Sequence, residues 1–124
     1  MNRPPTRRTP ARAIFWLATL ALLTATHWPG LAVDGPIDRS DLVVHAIVFA
    51  VWTGLLAGAY APPARVLIPL ALGFAVFDET TQPLFDRTFD RLDLAADAAG
   101  VLVASCIVLS VRHLRRDAGS NPVR

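Results

Sequence analysis

The sequence contains no lysine and a single cysteine, and each scarcity removes a class of chemistry. One cysteine, Cys106, cannot make a disulfide or a cysteine metal site within one chain, and it lies inside the apolar run 101–111 as a core or lipid-facing residue. Neither lysine, serine nor cysteine is placed as a nucleophile, so covalent catalysis is disfavoured. Basic residues are not interleaved with aromatics on a soluble face, which excludes a nucleic-acid partner. No internal repeat is present, and the apolar runs are too long to be alternating barrel strands.

What is present is apolar. Of 124 residues 53% are hydrophobic, a length for one domain and a composition for a membrane protein. The expected fold is an all-α membrane domain of four antiparallel helices, with spans at 13–28, 42–61, 64–82 and 92–111. Residues 1–12, with three prolines, read as a disordered basic leader, and 112–124 as a frayed basic cytoplasmic tail. A cleaved signal peptide is the alternative reading of the first run. The third run, 66–77, is too short to cross a core of about 30 Å at ~1.5 Å per residue. Continuing it through Asp78, Glu79, Thr80, Thr81 and Gln82 to the break at Pro83 supplies the missing length. Pro69 is expected in the first turn of that helix, where proline is tolerated. Gly54 and Gly58 are at GxxxG spacing, and Ala96, Gly100 and Ala104 form a small-residue stripe, both suited to close helix packing.

Charge is segregated along this pattern. Arg3, Arg7, Arg8 and Arg12 precede the first span, Arg65 lies between the second and third, and Arg112, Arg115, Arg116 and Arg124 follow the fourth. The positive-inside rule places that side, and both termini, in the cytoplasm. Every acid but Asp117 then falls at the opposite end. His45, Glu79 and Asp97 lie at similar depth below that boundary, and Asp41 with His45, Glu79 with Gln82, and Asp93 with Asp97 each share a helix face. Charges at membrane depth cost a few kcal/mol, less near the interface, so these groups should face one another or a watered pocket. Asp78 is turned about 100° from Glu79, so one of the two is expected to face the headgroups. His27 and Trp28 read as interfacial anchors and Trp52 as packing.

The order D-x-x-x-H on Asp41 and His45, E-x-x-Q on Glu79 and Gln82, and a following series on Arg87, Asp90, Asp93, Asp97 and Gly100 resembles the VanZ-like family of small bacterial membrane proteins. The resemblance covers roughly residues 27–111. It departs at Leu42, where the family usually has lysine, and at Asp97, where it usually has asparagine. It implies a bacterial cytoplasmic membrane, a role in the cell envelope, and, through the founding member, an association with glycopeptide resistance.

The function expected is binding of an envelope lipid, glycan or glycopeptide headgroup in a polar pocket of Asp41, His45, Glu79, Gln82, Arg87, Asp90, Asp93 and Asp97. Arg87 would contact an anionic group. The alternative is a membrane-embedded enzyme using His45 and the carboxylates in acid/base or metal-assisted chemistry, and a small proton-linked carrier comes third. Arg87 pairing with Asp90 or Asp93, and Gln82 bridging helices, would make the same residues a purely structural network. No cofactor is expected, although His45, Glu79, Asp93 and Asp97 could hold zinc or manganese without any H-x-x-x-H motif. Expected partners are the bilayer, the envelope ligand and further copies of the chain.

Overall fold

The computed structural model describes residues 8–30 and 39–120, so most of the leader, most of the first polar loop and the last four residues lie outside it. Among the described residues the chain is all-helical: α1 (Arg8–His27), α2 (Ser40–Tyr60), α3 (Ala64–Thr81) and α4 (Arg91–Ser120), with a short 3-10 turn (Gln82–Phe85) after α3. Three helical stretches, Thr9–His27, Ser40–Tyr60 and Arg91–Gly119, are long and apolar enough to cross a membrane. This is a membrane protein, and its apolar helix faces belong in lipid. α3 has 18 residues, about 27 Å of helix. It carries Arg65, Asp78 and Glu79, so length and composition alone do not qualify it as a span.

Two ends differ from expectation. α1 begins at Arg8 rather than 13, with Pro10 in its first turn, where a missing amide donor costs least. α4 does not fray at 111 but continues to Ser120. Nothing before Gly119 interrupts residues 112–118, most of which are good helix formers, and His113 and Asp117 pair at i, i+4 over 3.4 Å. Pro69 is the sixth residue of α3, beyond the first turn, so the Arg65 carbonyl lacks its usual helical donor.

α2 is the centre of the fold, packed against α1 on one side and α4 on the other, while α3 lies mainly against α4. The α2–α4 contact is the most extensive, and Gly100 permits it. A Cβ on Gly100 would overlap the Ala46 carbonyl group, so the two backbones touch at that level. Ala104, one turn on, is buried and Ala96 half-buried. The other small-residue pair behaves differently: a Cβ on Gly54 or Gly58 would meet nothing within 4 Å. GxxxG spacing needs a second helix opposite it, and within this chain the buried face of α2 is instead the one bearing Phe49, Trp52, Thr53 and Leu56. Trp52 stacks on Phe74 of α3 at 4.2 Å and donates its indole N–H to Thr19 Oγ1 of α1 at 2.9 Å. Three helices are thus tied through one side chain.

The helix directions put the arginines together. Where α1 begins and α2 ends, Arg12 lies over the Tyr60 ring at 5.1 Å and Trp16 donates to the Tyr60 hydroxyl at 2.8 Å. At the same level Arg112 of α4 donates to the carbonyls of Pro62 (2.6 Å) and Ala57 (3.1 Å), the latter also accepting the Ala61 N–H at 3.0 Å, which fastens α4 to the end of α2. The acids gather at the far end, where α2 and α4 begin and α3 finishes.

Candidate functional site

The site starts from α3. Its last turn carries Asp78 and Glu79, and Gln82 opens the 3-10 turn that follows; all three are buried, although Asp78 and Glu79 are fully ionisable side chains. The expectation that one of the two acids faces headgroups is therefore corrected. The 100° turn between them sends each to a different helix partner, not one of them outward.

Glu79 points toward α4. Its Oε1 accepts the backbone N–H of Asp90 at 2.7 Å, and its Oε2 accepts the Gln82 amide at 3.0 Å. Asp90 is the residue before α4, and its Oδ1 in turn accepts the Leu92 N–H at 2.7 Å, an N-cap. In a capping box a glutamate inside the helix would cover the N-cap amide. Here Glu79 does so from another helix, so the carboxylate fastens the end of α3 to the start of α4.

His45, in the second turn of α2, meets α4 one turn deeper. Its Nδ1 lies 2.9 Å from Asp97 Oδ1 and its Nε2 3.7 Å from Asp93 Oδ2. One donor atom each from His45, Glu79 and Asp97 fall within 4.8 Å of one another. Asp97 is fully buried, yet its Oδ2 has no hydrogen-bond partner among the described groups, and neither has Asp93 Oδ1. The close approach at Gly100 matters here, since it sits one turn from Asp97 and brings α4 near enough for a short carboxylate to reach the imidazole.

Not all the residues expected in the pocket belong to this cluster. His45, Glu79, Gln82, Asp93 and Asp97 do. Asp90 is drawn out of it to cap α4 and pair with Arg39, whose Nη2 lies 3.0 Å from Asp90 Oδ2. Arg87 and Asp41 are both half-buried. The amides of α4, first among them Leu92, and then Arg39 hold the Asp90 carboxyl below its usual range. A lowered folded-state pKa stabilises the fold above the ordinary aspartate range near ~3.9 and ceases to do so as pH falls through the lower folded value. Asp90→Ala is therefore expected to lower Tm in detergent at pH 7, and the gap from the parent protein should close as the pH is taken below that range. A gap that persisted unchanged in acid would show that the cap carries no charge-dependent stability.

A second polar contact, between α1 and α3, was not anticipated. Thr26 Oγ1 donates to Asp78 Oδ1 at 2.8 Å, and His27 Nε2 lies 2.8 Å from Thr81 Oγ1. His27 Nδ1 is 3.7 Å from Asp78 Oδ1, and Phe85 packs edge-on against the His27 ring at 4.9 Å. His27 thus links α1 to α3, while Trp28 beside it is exposed. The signal was present in the i, i+3 spacing of Asp78 and Thr81, which share a face, and in the polar end of α1.

Compared with family models, curated proteins and solved structures, the chain matches none.

The arrangement can act chemically in two ways. A histidine held by one carboxylate and flanked by another is oriented to move a proton. Carboxylate oxygens lacking donors are also acceptors awaiting a ligand that brings hydrogen-bond donors or positive charge.

Proposed function

We propose that the chain is a four-span protein of the VanZ-like type in the bacterial cytoplasmic membrane, with α3 as the fourth span and both termini cytoplasmic. The arginines gathered where α1 begins and α4 ends support that orientation through the positive-inside rule. The inward turn of Asp78 and Glu79 supports α3 as a span, because it removes their charge from the lipid face. A cysteine introduced at Arg87 in a Cys106→Ser background is then reached by impermeant reagent from outside the cell. Labelling from the cytoplasm alone would reverse the orientation.

Its function is to bind the headgroup of a cell-envelope lipid, glycan or glycopeptide at the acidic end of the bundle. One observation carries this reading: buried Asp97 and the neighbouring Asp93 each keep a carboxylate oxygen without a donor. Such oxygens favour a ligand rich in hydroxyl or ammonium groups over the anionic group first expected at Arg87. Lipids and glycans retained by the purified protein, identified by mass spectrometry, test it. An enriched species that disappears in Asp97→Ala is the expected result; a lipid profile equal to that of the bulk membrane in both proteins would defeat it.

The His45–Asp97 contact favours a second reading, a membrane-embedded acid/base enzyme acting on such a lipid. Turnover of envelope lipid that is lost in His45→Gln would select it over binding alone.

A further inference from the structure

We infer that His45, Glu79 and Asp97 are the ligands of a divalent first-row metal ion, zinc or manganese, at the junction of α2, α3 and α4, with Asp93 as a donor at its edge. The inference goes beyond the headgroup reading and does not need it.

Donor distances come first. Two ligands each ~2.1 Å from one ion lie at most about 4.2 Å apart. The three side chains already offer atoms within 4.8 Å of one another, so small rotations close the set. The donors are one imidazole and carboxylates, a mixture that suits zinc and manganese; calcium and magnesium take oxygen donors alone. His45 has a ring nitrogen on either side of the cluster, Nδ1 toward Asp97 and Nε2 toward Asp93.

The second observation is independent of the clustering. Asp97 is fully buried and its Oδ2 has no partner among the described groups. Around it, one imidazole faces two aspartates, and each oxygen of Glu79 accepts from a neutral donor, the Gln82 amide or the Asp90 N–H. Those neutral donors do not cancel the charge of Glu79, but they fix its orientation, which is the part that outer-sphere hydrogen bonds play around a metal ligand. A bound dication offsets the buried carboxylates and gives the orphaned oxygen its partner. Three further carboxylates add to the negative field, Asp90 and Asp41 near Asp93 and Asp78 near Asp97.

The full-length protein, purified in detergent without chelator, is measured for metal content, then stripped and titrated with zinc chloride or manganese chloride while Tm is followed. The expected result is a single ion per chain and a Tm that rises with added metal. Asp97→Asn keeps the shape of the side chain, so it should fold, and its metal affinity should fall by at least about tenfold. His113→Ala controls for adventitious binding at the exposed His113–Asp117 pair and should leave metal content unchanged. Absence of any metal-dependent shift, an equal shift in Asp97→Asn, or loss of the ion in His113→Ala would each overturn the inference. Metal retained by protein that retains no enriched lipid sinks only the headgroup reading, and enriched lipid without metal sinks only this one.

Discussion

Gly100→Leu is expected to leave little or no folded protein, seen as loss of the monodisperse peak on size-exclusion chromatography in detergent. The Cβ alone overlaps the Ala46 carbonyl group, and a backbone neighbour cannot rotate away as a side chain would. The helices must part, and the widest interface of the fold parts with them. Overpacking of a core typically costs ~1–3 kcal/mol, and here the added side chain has no rotamer that avoids α2. Gly100→Ala gives the graded version. It gains about 0.8–1 kcal/mol of helix propensity, so any net loss of stability measures the clash against that gain. Gly54→Ala and Gly58→Ala receive the same propensity gain with open space around the new methyl, and their Tm should be unchanged or higher. If all three alanine variants behaved alike, the α2–α4 contact would not depend on Gly100.

Glu79→Ala is expected to be the most damaging change among the acids. It removes two acceptors at once, stranding the Asp90 N–H and the Gln82 amide where α3 meets α4. Each buried donor left unpaired costs about 1–3 kcal/mol, so an overall loss of roughly 2–6 kcal/mol is expected from the pair. Glu79→Gln keeps one oxygen of the same reach and should lose less, because its carbonyl can still accept the Asp90 N–H. Thermal melts of the two variants in one detergent check the order. Equal melting of Glu79→Ala and the parent protein would show that the α3–α4 junction is held by apolar packing alone.

Asp90 and Asp97 show why the site was only partly legible. Both fall in the expected polar pocket, Asp97 by its depth and helix face and Asp90 through the family resemblance. Asp97 sits in the second turn of α4, where its side chain points at α2 through the gap opened by Gly100. Asp90 sits just before the helix, where unpaired amides capture it as a cap. Spacing along a helix predicts faces well, but the residue at which the helix starts decides whether an acid is a cap or a pocket wall. The His27 link was missed for a related reason. A histidine at the end of an apolar run looks like an anchor until the neighbouring helix is known to present Asp78 and Thr81 at the same height.

Hydropathy and the run lengths were enough, without coordinates, to establish an all-helical membrane protein with most of its arginines at one end and most of its acids at the other, because those properties depend on residue order along single helices. That His45, Glu79 and Asp97 share one level of the bundle was also readable, since rise per residue is constant. Which small residues bring helices together was not: Gly100 meets α2, while a Cβ on Gly54 or Gly58 would meet nothing within 4 Å among the described residues, and no local pattern distinguishes them. The partners of the buried acids belong to the tertiary structure for the same reason, because a carboxylate pairs with whatever another helix happens to hold opposite it.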